Sequence, residues 1–225
     1  MTRTSVPPAT APPSTTAAPD VLPSAYAARP LSGWDLSPLA VLAGSDVDST
    51  VSFADLSRRF VLDLVSARVA AARGLDRAEA SLLVLRDCTR SACALLSPYV
   101  LDGSAVLADA ERAGLRLDTD RLPDAAWFGT LALCDAEPAH VGAHVAGLVV
   151  PVSERVAEAC GRAPAETAAV VAEVLAVEVS RMSGQCERLG LAGADHHDVL
   201  GAALRGALEV LGEVPRDTGR GARAS

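Results

Sequence analysis

The chain has no lysine, no isoleucine, no asparagine and a single glutamine, Gln185, among 225 residues. The codons of the three missing residues all begin with two A or T letters, and alanine occurs 44 times. Mutation bias in a very GC-rich genome explains this without adaptation. Without lysine there is no lysine nucleophile and no Schiff-base chemistry. Aromatic residues make up only 3%, so a pocket lined by stacked rings is not expected. There is no Gly-rich phosphate loop, no GxSxG elbow and no DDxxD-type run for magnesium diphosphate. A Ser/His/Asp triad assembles from distant residues, and no local pattern speaks for one.

Cysteine is sparse. Cys88, Cys93, Cys134, Cys160 and Cys186 are odd in number, scattered, and form no CxxC pair. In a reducing compartment they read as small buried apolar residues. Cys88 and Cys93 lie five apart, about 140° around a helix, so the two thiols do not face one ion. Long hydrophobic runs are missing too. The longest candidate, Val145 to Val152, falls far short of the roughly 18–20 residues of a membrane span. The first 30 residues have no continuous apolar stretch of the signal-peptide kind. A cytoplasmic protein with no membrane partner is expected.

What is present is apolar and acidic. Half of the residues are hydrophobic, the net charge is −8, and mean hydropathy is +0.26. The stretch 1–32 carries Arg3 and Arg29 against Asp20, and the tail 215–225 carries Arg216, Arg220 and Arg223 against Asp217. The middle of the chain is therefore more acidic than the whole and repels phosphate backbones, which argues against a nucleic-acid partner.

Three regions are expected: a disordered Pro/Ala/Thr-rich segment 1–32, a single helical domain 33–214 and a flexible Arg-containing tail 215–225. Within 33–50, Trp34, Leu36, Leu39, Val41 and Leu42 are expected to pin the lead-in to the body, and 44–50 reads as a loop. From residue 52 apolar residues recur at the helical pitch. Ser52 and Asp55 resemble a capping box opening a helix to Arg73, with Phe53, Leu56, Phe60, Leu64 and Ala67 on its inner stripe. Gly74 ends it. A second helix runs from Asp76 to about Leu96 and is apolar nearly all round, which places it at the centre of a bundle. Further helices are expected over 104–113, 124–133, 138–150, 164–189 and 195–211, with Pro151 either kinking the 138–150 helix or starting a new one over 151–160, and with a loop over 114–123. No period-2 strand stands out. The fold class expected is all-α, a compact bundle of six to eight helices.

The stretch Cys134-Asp-Ala-Glu137-Pro-Ala-His140-Val-Gly-Ala-His144 offers the clearest candidate site. On a helix, Glu137, His140 and His144 fall within about 60° of one another. Imidazoles at i and i+4 can chelate one divalent metal with the carboxylate as a third ligand. The competing reading is two helix-edge histidines and an acid favoured by the helix dipole. Glu178 falls in the apolar stripe Val171, Val174, Leu175, Met182 and Cys186, so its carboxylate needs a partner. His140 or His144 would make a functional group of it; Arg86 or Arg68 would make a structural ion pair. Asp195-His196-His197-Asp198 reads as a helix start with an N-cap rather than a metal cluster, with one histidine facing the core.

These features favour a non-catalytic helical protein that binds a small apolar ligand or a partner protein, pairing as a homodimer. Its last helix (Leu200, Leu204, Leu208, Leu211, with Ala203 and Ala207) would be the docking face. The rival is a metal-dependent or acid/base tailoring enzyme using Glu137, His140, His144 and Glu178. A third reading, the ligand domain of a transcriptional regulator, lacks a basic recognition helix.

Overall fold

The computed structural model describes residues 40–43, 50–103, 105–129, 131–188 and 195–212. The segments 1–32 and 215–225 lie outside these, as do Trp34, Leu36 and Leu39.

Helix predominates. The described helices are α1 (Phe53–Leu56), α2 (Arg59–Arg73), α3 (Arg77–Cys93), α4 (Leu96–Asp102), α5 (Pro138–Cys160), α6 (Pro164–Arg188) and α7 (Asp195–Leu211). The expectation of an all-α chain is corrected by six short strands: β1 (Ala40–Ala43), β2 (Thr50–Ser52), β3 (Ala105–Ala108), β4 (Ala113–Leu117), β5 (Pro123–Phe128) and β6 (Leu131–Cys134). Four form a sheet in the order β1-β5-β4-β2, and β3 pairs with β6 in a second. The β1–β5 pair is parallel, with Ala40 opposite Ala125, and the remaining pairs are antiparallel.

The expected helices 104–113 and 124–133 are therefore strands and turns, for two reasons. First, Ala125, Ala126, Trp127 and Phe128 are all buried, so β5 has no polar face and no alternation to betray it. Second, the strands are alanine-rich, and alanine is a strong helix former that yields only to tertiary pairing. The turns do carry a local signal. Asp109 accepts from the Glu111 N–H at 2.9 Å, and Asp118 accepts from Asp120 at 2.9 Å and Leu122 at 2.8 Å. Aspartate holds tight turns in this way. Beside the second turn, Arg116 forms a two-pronged pair with Asp124, at 2.9 and 2.5 Å.

The start of the body also differs. Ser52 caps as expected, accepting the Asp55 N–H at 3.0 Å, but the helix stops after one turn and α2 restarts at Arg59. The break re-phases the chain. Leu62, Val65, Ser66 and Val69 face the core, while Phe60 is 78% exposed and Leu64 46%.

The second helix behaves as its composition demands. Asp76 and Glu79 form a reciprocal capping box, and α3 packs against α2, α5, α6, β4 and β5. Pro138 is at the first turn of α5, and α5 continues through Pro151 to Cys160 as one helix rather than two. Proline denies a hydrogen bond to the carbonyl four residues back. That carbonyl belongs to Gly147, and Gly147 and Pro151 are both exposed, so water can satisfy it.

The most extensive packing is between α5 and α7. A Cβ on Gly142 would lie 1.8 Å from the Ala203 carbonyl oxygen, and one on Gly206 would lie 2.0 Å from that of Ala139. Each helix thus presents an Ala-x-x-Gly step to the other, and the backbones touch. Leu200, Ala203 and Ala207 are buried in this seam. The apolar face of the last helix, expected to dock a second chain, is largely consumed inside this one.

Candidate functional site

The residues expected to chelate a metal lie at the start of α5 and in its first two turns. Glu137 is the N-cap of α5, makes no side-chain capping bond and is exposed, as is His140. His144 is half-buried, and its Nε2 accepts the Ala108 N–H at 3.1 Å. The imidazole thereby ties α5 to β3. Among the described residues no three His, Cys, Asp or Glu side chains are grouped to hold a metal ion. Burial lowers the His144 pKa below its usual value of 6.5, and protonating Nε2 would set two donors against each other. The stability gained from neutral His144 is fully present above about pH 6.5 and is lost as pH falls through the lower pKa of the folded state.

His144→Ala strands a part-buried N–H and is expected to cost about 1–2 kcal/mol. Thermal melts with and without a chelator check the reading. A loss that requires metal would return His144 to the role of ligand.

Glu178 sits in the core stripe as expected, 5% exposed, but its partners are neither histidine nor Arg86 nor Arg68. Its Oε2 accepts from Arg181 Nε at 2.9 Å and lies 2.6 Å from a second Arg181 nitrogen. Its Oε1 faces Arg90 Nε at 3.6 Å. Arg90 in turn reaches Asp87 Oδ1 at 3.3 Å. The result is an alternating chain, Asp87–Arg90–Glu178–Arg181, linking α3 to α6. Burial pushes the Asp87 carboxyl from 3.8 to about 6, against the pull of Arg90 and Arg73. Burial, then the nearby Glu178, also raises the Cys93 thiol. All four groups are matched, and the arrangement holds helices together.

Part of this was legible in the sequence. Glu178 and Arg181 are three apart, the spacing of helix-face neighbours, and so are Asp87 and Arg90 on the central helix. What periodicity does not give is the rotation of α6 against α3, which selects Arg90 over Arg86.

At the start of α7 one histidine faces inward and one outward, as expected: His196 is 7% exposed, whereas the His197 side chain is 52% exposed. Their rings stack at 4.1 Å with a 36° tilt. His197 also bridges two α6 residues. Its Nδ1 is 2.6 Å from Ser183 Oγ, and its Nε2 is 3.2 Å from Glu187 Oε1. Sequence reasoning missed this group. Ser183 and Glu187 share a helix face at i, i+4, but the histidine arrives from another helix.

An apolar crevice lies between α4, α5 and α7, lined by residues including Tyr99, Val141 and Leu200, and it has no room for a water-sized sphere. The cysteines are all free, and Cys88, Cys93 and Cys186 are buried. Among the described residues no helix is long and apolar enough to cross a membrane. No protein-family model, curated protein or solved structure matches the chain.

Proposed function

We propose that this chain acts by binding a partner protein, pairing with a second copy of itself through the outer face of α2. The observation that supports this reading is the exposure of Phe60 (78%) together with Leu64 (46%). These lie one turn apart on a helix whose opposite face is core. A phenylalanine left this open in a chain with so few aromatics marks a contact surface. Arg59 and Asp63 flank the pair, 3.9 Å apart on the same helix, so the face offers both signs of charge to a copy of itself. A small apolar ligand is less well supported, since the crevice between α4, α5 and α7 is filled by its own lining.

Sedimentation across a concentration series tests the proposal. The unaltered chain is expected to dimerise, and Phe60→Ser with Leu64→Ser to give a monomer with an unchanged circular dichroism spectrum. Because both side chains are outside the core, surface substitutions of this kind typically shift stability by less than about 0.5 kcal/mol. A chain that stays monomeric at high concentration, or a double variant that still dimerises, defeats the proposal.

A further inference from the structure

We propose that Ser183 is an activated serine nucleophile that accepts the acyl group of small, unhindered carboxylic esters, with His197 as its general base and Glu187 holding the imidazole. The argument starts from which groups can donate. An ionised carboxylate attracts the proton-bearing edge of an imidazole, so Glu187 Oε1, 3.2 Å from His197 Nε2, favours the tautomer with the ring proton on Nε2. The neutral ring then has its lone pair on Nδ1. Ser183 Oγ, 2.6 Å away, is left to donate its hydrogen to that lone pair. A hydroxyl hydrogen-bonded to a base that is itself oriented by a third group is the signature of an activated nucleophile, wherever the three residues fall in the chain.

The surroundings leave the oxygen accessible. Ser183 is half-buried rather than enclosed. Its neighbour is Gly184, where an added Cβ would meet nothing nearer than an Arg188 guanidinium nitrogen at 3.7 Å. A residue with no side chain therefore follows the serine. The openness selects small esters over substrates that need an enclosing pocket.

In the reaction, Ser183 Oγ bonds to the ester carbonyl carbon as its proton passes to His197 Nδ1. The tetrahedral adduct collapses, the carbon–oxygen bond to the alcohol breaks, and the departing oxygen takes the proton from Nδ1. Water then repeats the sequence on the acyl-serine and releases the carboxylic acid. No metal or redox partner is required.

The test uses the full chain with two probes. A fluorophosphonate, which forms a stable phosphorus–oxygen bond with loss of fluoride, is expected to label Ser183 selectively in peptide maps. With p-nitrophenyl acetate, steady release of p-nitrophenolate is expected. The rate should fall about 100-fold or more in Ser183→Ala and His197→Ala, the scale of losing a nucleophile or its base. Glu187→Gln should lower the rate of p-nitrophenolate release with KM unchanged, and Glu187→Asp should restore part of it; a carboxylate that does not orient the ring would leave the rate in place. All three positions are outside the core, and circular dichroism verifies folding. Failure to label Ser183, or a Ser183→Ala variant that releases p-nitrophenolate as fast as the original, overturns the proposal. The α2 surface shares none of these residues, so the two proposals stand or fall separately.

Discussion

Gly142→Ala is expected to cost on the order of 3–5 kcal/mol, the upper range for forcing extra volume into a packed interior. The single methyl would lie 1.8 Å from a backbone oxygen of α7. A flexible side chain could swing aside, but Ala203 is itself inside a helix and its carbonyl cannot. Relief requires separating α5 from α7 along the seam that buries Leu200, Ala203 and Ala207. Gly206→Ala repeats the clash from the other side, against Ala139. The control is Gly147→Ala in the same helix, where nothing lies within 4 Å of the added atom. There alanine's better helix propensity should raise stability by about 0.5–1 kcal/mol. Urea unfolding of the three variants measures the contrast. A Gly142→Ala protein as stable as the parent would show that α5 and α7 do not approach as described.

The second large effect concerns the charges between α3 and α6. Glu178→Ala leaves the Arg90 and Arg181 guanidiniums without the carboxylate they share and is expected to destabilise by about 1–3 kcal/mol, because both arginines keep partial contact with water and Arg90 keeps Asp87. Asp87→Asn should behave in the opposite way. Burial raises the Asp87 pKa from 3.8 to about 6, so the folded chain binds that proton more tightly than the unfolded one. The stability this confers is fully present below about pH 3.8 and is lost as pH rises through about 6. Above that, the fold carries an ionised, buried carboxylate. A shift of this size corresponds to about 3 kcal/mol. Asp87→Asn removes the cost at about pH 8 and should raise the melting temperature there by several degrees, while giving no gain near pH 3.5. Arg90 keeps Glu178 as a partner in that variant, so no charge is orphaned. Thermal melts across this range decide the matter. An Asp87→Asn protein less stable than the parent at about pH 8 would mean that the Arg90 pair outweighs the burial of the carboxylate.

The two titrating groups bend the stability curve in opposite senses. His144 favours the fold when neutral, so its contribution fades on acidification, whereas Asp87 favours it when protonated. Melts of the parent alone would blend the two. The His144→Ala and Asp87→Asn variants separate them because each removes one slope and leaves the other.

The sequence by itself determined that long helices dominate and where several of them begin or end. Asp76, Gly74, Pro138 and Gly161 act on their own neighbours, through caps, a missing donor and left-handed backbone, so no distant contact is needed to read them. It also determined that Glu178 is internal, that His196 and His197 diverge, and that α3 is central, because each follows from the 3.6-residue pitch. Tertiary structure alone decided the strands, since an alanine-rich segment buried on both sides has no alternation and adopts β structure only when a neighbour supplies the hydrogen bonds. It decided that Phe60 and Leu64 face outward, because a two-residue break after Leu56 resets the helical phase. It also decided every contact between helices: Arg90 on Glu178, the Ala108 N–H on His144, and His197 between Ser183 and Glu187. Pitch fixes which residues share a face, but which face meets which is set by how the cylinders rotate and cross, and that is a property of the packed whole.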